Sequence, residues 1–162
     1  MATPLARAVP VQGIARWALR APIWLYRHHL GWLFGHQTLM LIHRGRKTGL
    51  PRRTVLEVLH YDRGTRTYTV AAGWGPHSDW LRNVEHSPNV VVASGGGRMA
   101  ARAGVLSRAA AEAEIRYYIT HHPLRARGMA RMLAGRPFDA GHVDEVVDEI
   151  AAIVPIVALR PR

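Results

Sequence analysis

Apolar and polar positions along this chain mostly alternate with a period of two, broken by stretches that step at helical spacing. Thr38 to Ile42 reads as a short apolar strand. Thr54 to His60 and Thr67 to Ala72 read as two more, joined by the turn Asp62-Arg63-Gly64. Ser78 or Asp79 offers an N-cap to a short helix that Pro88 ends. Val90 to Ala93 and Met99 to Leu106 form a hairpin around Gly95-Gly96-Gly97. Ser107 caps an Ala/Glu-rich helix that stops before Pro123, and a second helical piece runs to about Leu133. His142 to Ile150 predicts a short acidic helix. Ile153 to Leu159 predicts a closing strand whose Pro155 suits an edge or a bulge. Near the N-terminus, residues 11 to 34 set Ile14, Trp17, Trp24, Leu25 and Trp32 against Arg16, Arg20 and Arg27, an amphipathic helix kinked at Pro22. The pattern divides the chain into a 1–34 helical segment and a 35–162 domain. Five to six mostly antiparallel strands with interspersed helices predict an α+β barrel or half-barrel.

Composition narrows the chemistry. The 162 residues suffice for one domain with a real core. There is no cysteine, which excludes disulfides, thiol catalysis and thiolate metal sites. No apolar run reaches the roughly 18 residues of a membrane span, and the N-terminus does not read as a signal peptide. The formal net charge of +11 favours acidic ligands, nucleic acid or an anionic membrane surface.

That charge concentrates in HRGRKTGLPRR, residues 43 to 53, which carries Arg44, Arg46, Lys47, Arg52 and Arg53. Of the 22 basic residues, all but Lys47 are arginine. Gly45 and Gly49 permit close backbone approach, so their N–H groups are expected to form an anion-binding concavity, with Arg forks gripping phosphate or carboxylate. The spacing is not that of a Walker A loop; a solvated hairpin is the bland alternative.

Residues 71 to 83, AAGWGPHSDWLRN, end a strand in Gly73-Trp74-Gly75 and feed a capped helix. Trp74 and Trp80 could stack on a flat ring, although Trp80 taken alone reads better as a plug for the barrel end. The histidine pairs His28-His29 and His121-His122 do not share a helix face, and no metal site is expected. No GxSxG elbow is present. Asp144, Glu145, Asp148 and Glu149 read as a solvated helix face.

Taken in order, GRKTGLPR (45 to 52), VAAGWG (70 to 75), Trp80, Asn83, SPNV (87 to 90) and VPIVALRP (154 to 161) resemble the deazaflavin-dependent nitroreductase family. This is an actinobacterial group that reduces quinones or nitroimidazoles with reduced 8-hydroxy-5-deazaflavin (coenzyme F420). The resemblance implies a split β-barrel of the flavin-reductase and pyridoxamine-phosphate-oxidase type behind the N-terminal amphipathic helix, with a homodimer as in related groups. It implies an F420-dependent reductase acting on a small-molecule quinone, nitro or enone-type acceptor. The coenzyme's phosphodiester and oligoglutamate tail would be held by Arg46, Lys47, Arg52 and Arg53. Gly73, Trp74 and Gly75 would serve its ring end, Trp80 and Asn83 would shape the pocket, and His122 would act at the acceptor. FMN is the alternative cofactor.

Two departures stand out. Family nitroreductases carry Ser-Lys where this chain has Gly73-Trp74, and tyrosines where it has His122, Arg125 and Gly128. The implied protein is cytoplasmic, docking through residues 11 to 34 at the inner face of the membrane. No nucleic-acid partner is expected. A non-catalytic deazaflavin or flavin carrier, and a basic membrane-surface or nucleic-acid-binding protein, are the readings from other classes.

Overall fold

The computed structural model describes residues 36–134 and 140–162. The expected 11–34 helix, and with it the boundary between a 1–34 segment and a 35–162 domain, lies outside the described residues. Within them are six strands: β1 (Thr38–Arg44), β2 (Pro51–Asp62), β3 (Thr67–Ala71), β4 (Asn89–Ser94), β5 (Gly97–Val105) and β6 (Ile156–Pro161). They close a barrel in the order β1-β2-β3-β6-β5-β4, with every neighbouring pair antiparallel. Helices α1 (Asp79–His86), α2 (Arg108–His121), α3 (Pro123–Ala134) and α4 (Val143–Ile153) complete the α+β fold, α4 following a 3-10 turn at Ala140–His142.

Alternation decides which side chains face in. Leu39, Leu41, Leu56, Val58, Val70, Val92, Ala101, Ala103, Val157 and Leu159 fill the barrel, and Trp80, Leu81 and Val84 of α1 join the same core from one end. A register shift between Val58 and His60 inserts Leu59 as an extra residue in β2. The bulge lets both Val58 and Tyr61 face inward, where uninterrupted alternation would turn one of them out. Tyr61 then stacks on Tyr68 at 4.3 Å and on His36 at 4.4 Å, and the His36 ring bonds Tyr68 Oη at 2.8 Å. These rings close the barrel end opposite α1. Outside, Leu59 and Ile156 are buried under Ile115, Tyr118, Ile119, Val147 and Ile150, where α2 and α4 pack on the sheet.

Several expectations change at the element ends. The closing strand begins at Ile156, and Ile153 belongs to α4, which runs three residues beyond Ile150. Nor is β6 an edge: it pairs with both β3 and β5, because a closed barrel has none. Pro155 lies just before β6 and uses only its carbonyl, accepting from Ala72 N–H at 2.9 Å. Ser107 caps α2 as expected, accepting from Ala110 N–H at 3.4 Å. Ser78 precedes α1 but makes no cap bond, since its hydroxyl donates back to Gly75 O at 2.9 Å.

Candidate anion-binding site

The cationic stretch is a tighter hairpin than its composition suggests. β1 continues to Arg44 and β2 begins at Pro51, pairing His43 with Arg52, and Ile42 with Arg53. Residues directly opposite in an antiparallel pair share a face. His43 follows Leu39 and Leu41 on the inner face, so Arg52 stands over the barrel mouth while Arg53 faces outward beside Ile42.

The expected backbone concavity is not there. Gly45 N–H donates to Leu50 O at 2.9 Å and Gly49 N–H to Gly45 O at 2.7 Å, so both amides close the turn on itself. Gly49, at φ 68°, is needed for the turn's geometry rather than for ligand approach. Any anion here must be met by side chains.

Arg46 is already engaged. Its backbone N–H and its Nη1 each donate to Asn83 Oδ1 at 3.0 Å, and its Nη2 pairs with Asp79 Oδ1 at 2.9 Å. Asp79 and Asn83 sit four apart on α1 and so share a face. Arg46 thus ties the turn to the helix. By contrast Arg44, Lys47, Arg52 and Arg53 are exposed, and none pairs with a carboxylate among the described residues. Beneath them His43 is 5% exposed and its ring nitrogen Nδ1 lies 3.3 Å from Asn83 Nδ2. Burial lowers its pKa; a hydrogen bond with the Arg44 backbone opposes the shift, and the Arg52 charge across the strand adds to it.

The second candidate stretch reaches the same end of the barrel, since β3 leads through residues 72–78 into α1. Trp74 is 60% exposed there, while Trp80 is 7% exposed inside the core, the plug position. Gly75, at φ 75°, turns the chain and spends its N–H on Ala72 O at 2.7 Å. Gly73 is exposed, with open space where a side chain would be. Asn83 is 6% exposed and acts on Arg46, so its position is that of a clamp.

His122 lies elsewhere, at the C-terminal end of α2 on the outer flank of β2. Its ring is 5.5 Å from that of Tyr118. Tyr118 donates its hydroxyl to Glu57 Oε1 at 2.6 Å, and Arg125 Nη2 donates to the same oxygen at 2.7 Å. Burial, then the Arg125 and His121 charges, lowers the His122 pKa, so its imidazole is neutral near pH 7. Burial and the Glu57 contact push the Tyr118 phenol well above its ordinary range. Glu57 and Arg53 share the outward face of β2 at four residues' separation, about 13 Å at the usual rise. His122 and the hairpin are thus two stations along one strand.

The sequence did not point to His43, Glu57 or Tyr118; it marked Asp79 only as a possible N-cap and Arg125 only as standing where the resembling family has a tyrosine. Only the i,i+4 spacing of Asp79 and Asn83 was visible in it; their partner lies more than 30 residues upstream. On the acidic face of α4, Asp144 pairs with Arg116 and Asp148 with Arg108, each at 2.5 Å, while the two carboxylates stay 86% and 71% exposed, as on a solvated face. No group of three metal-capable side chains occurs among the described residues, and no helix among them is long and apolar enough to cross a membrane.

Known structures share the barrel. An F420-H2 dependent reductase (FDR-A) superposes with a TM-score of 0.53 at 18% identity, covering 78% of this chain and 96% of its own. A structure described as a domain-swapped dimer gives 0.55 at 15%, covering 91% and 100%. A pyridoxamine 5'-phosphate oxidase-related, FMN-binding protein from Nostoc punctiforme gives 0.53 at 15%, covering 93% and 82%. At these identities the likeness establishes the fold, a barrel shared with F420- and FMN-associated proteins. No curated protein matches the chain significantly. The sequence itself goes further: residues 18–126, well over half its length, match the F420H(2)-dependent quinone reductase family, and the chain belongs to that family of reducing enzymes.

Proposed function

We propose that this reductase binds F420H2 through the β1–β2 hairpin and reduces a quinone, nitro or enone-type acceptor. The observation that carries the reading is the set of four exposed cations, Arg44, Lys47, Arg52 and Arg53, without carboxylate partners among the described residues. A phosphodiester followed by glutamates matches that donor set, because guanidinium forks and an ammonium pair strongly with both. When bound, the coenzyme supplies the hydride. Lys47, Arg52 and Arg53 hold its acidic end, and their positive field favours negative charge developing on the acceptor. Arg46 and Asn83 hold the turn in place. Gly73, Trp74 and Gly75 present an apolar ring and open backbone at the same barrel end, with Trp80 as the packed floor beneath. His122, neutral and half-buried, serves as a hydrogen-bonding residue on the acceptor side.

Titration of the purified protein with F420, FMN and DNA tests the reading. F420 binding at least about tenfold tighter than FMN is expected, since FMN lacks the glutamate tail. Equal or better FMN binding would make this an FMN-dependent relative, and preference for DNA would make it a nucleic-acid-binding protein. Amine labelling adds a cleaner probe, because Lys47 is the only lysine. Bound F420 should slow its modification. A homodimer, which the domain-swapped neighbour supports, is checked by light scattering.

A further inference from the structure

We propose that His43, which touches no ligand, is a positioning residue for the hairpin: its ring nitrogen Nδ1 fixes the amide of Asn83, and Asn83 fixes Arg46 and with it the turn. The inference rests on the anion-binding reading of the hairpin and adds to it a control from below.

The orientation of Asn83 follows from its partners. Two donors, Arg46 N–H and Arg46 Nη1, converge on one atom of its amide at 3.0 Å each, and only an oxygen can receive both. The amide NH2 therefore points at His43 Nδ1, 3.3 Å away. Nδ1 must accept, which requires the imidazole to carry its single proton on Nε2. A protonated imidazole would place N–H against N–H. Turning Asn83 over removes that conflict and creates a worse one, NH2 against both Arg46 donors. Since His43 and Asn83 are both buried, water cannot relieve either arrangement cheaply. The clamp holds only with His43 neutral.

The surroundings favour that state. Arg44 and Arg46 lie on its own strand and turn, and Arg52 faces it from β2. Asp79 of α1 is occupied by Arg46. β4, Asn89–Ser94, carries no titratable residue. Burial depresses His43 most, a hydrogen bond with the Arg44 backbone opposes that, and the Arg52 charge adds to it; on balance His43 takes up its proton only below the ordinary histidine value of about 6.5.

The consequence has a distinctive sign. Charge alone predicts that protonating His43 tightens anion binding, because it adds a cation beneath the site. The clamp predicts the reverse, since a released turn no longer presents its cations together.

The test compares wild type with His43→Gln and His43→Leu, measuring F420 affinity between about pH 5 and pH 8. Taking the ratio to wild type at each pH cancels titration of the ligand itself. Glutamine accepts from Asn83 but does not titrate. Its affinity should match wild type near the upper limit and exceed it by about five- to tenfold near the lower. Leucine should bind about tenfold more weakly than glutamine throughout. In the ligand-free protein, the Arg46 backbone amide NMR signal should shift with the titration of the His43 ring in wild type and stay still in His43→Gln. A wild-type affinity that tightens on acidification relative to His43→Gln, or an Arg46 signal indifferent to His43, overturns the proposal. If F420 binds none of the three proteins, the cofactor assignment to the hairpin fails, and the ligand-free Arg46 signal still decides the role of His43.

Discussion

Arginine is used in opposite ways in two regions of this molecule. In the layer of α2, α3 and α4, Arg108 pairs with Glu112 and Asp148, Arg116 with Asp144, and Arg125 with Glu57. In the hairpin, Arg46 alone has a carboxylate, and Arg44, Lys47, Arg52 and Arg53 have none among the described residues. With 22 basic and 11 acidic residues, not every cation can be paired, so where the acids stand is informative. Glu57, Glu112, Asp144 and Asp148 stand against arginines of the helical layer, and Asp79 against Arg46. The hairpin keeps its mutual repulsion, roughly 0.7 kcal/mol per pair at 6 Å in water, a cost that an anionic ligand removes. Three of the layer's four fully described arginines face a carboxylate, Arg127 being the exception, whereas in the hairpin only Arg46 of four does.

The strongest way to break this contrast is to reverse one charge in the hairpin. Arg52→Glu removes a charge-assisted contact and adds a repulsive one, and should weaken F420 binding on the order of 100-fold, about 2.8 kcal/mol. Because Arg52 is exposed and unpaired, the melting temperature should hardly move. Unchanged affinity in a fluorescence titration would place the coenzyme's acidic end elsewhere.

The mirror experiment belongs to the other region. Glu57 receives both the Tyr118 hydroxyl and the Arg125 guanidinium. Glu57→Gln keeps the shape but loses the charge and one good acceptor, and should cost about 1–2 kcal/mol of stability. For a chain of this size that is a fall in melting temperature of a few degrees, on the order of 2–8 °C. Affinity for F420 should stay within about twofold. If stability holds and affinity collapses instead, the outward strip of β2 carries ligand as well as structure.

How much of this was readable beforehand follows from how local each signal is. Strands reveal themselves by alternation over a few residues, so their number and the α+β barrel were legible. The ends of β1 and β2 were not, because His43, Arg44, Pro51 and Arg52 pair through backbone, which hydrophobic patterning does not record. Barrel closure was equally invisible: the pairing of β6 with both β3 and β5 reaches far along the chain, so Pro155 suggested an edge. At the site, the cluster of cations was plain in the sequence. Which cation was already taken was not, because Asp79 and Asn83 lie more than thirty residues from Arg46. The supposed glycine concavity failed for a local reason, since a turn this short uses its own amides.

A smaller effect tests whether the two regions share a response to acid. His43 under the hairpin and His122 beside the helical layer both have lowered pKa values. Well above pH 6.5 both are neutral folded or unfolded, so neither contributes a pH dependence. Below it the unfolded chain takes up protons that the folded chain resists, so stability falls as the pH drops through that value toward the folded pKa values. Urea midpoints at about pH 7.5 and pH 5.5 should show the decline, and His43→Gln with His122→Gln should flatten it. A decline that the double variant leaves intact would assign the acid response to other groups.

The smallest expected effect concerns the surface pairs of the layer itself. Arg116 and Asp144 lie 2.5 Å apart, yet their side chains are 51% and 86% exposed. Water and salt screen such a pair, and ordering two long side chains offsets most of the attraction. Arg116→Ala should therefore change stability by no more than about 1 kcal/mol, and added salt should shrink even that. Arg125→Ala is the informative companion. Its side chain is 28% exposed, and it shares Glu57 with the buried Tyr118. Its loss should exceed that of Arg116→Ala and resist salt, because screening reaches partly buried pairs less. The two variants thus order the layer's arginines by what surrounds each pair rather than by its length. Equal and salt-sensitive losses at both sites would mean that the layer's pairs are all surface decoration. The hairpin would then differ from the layer only in lacking neighbours, and not in being built to receive an anion.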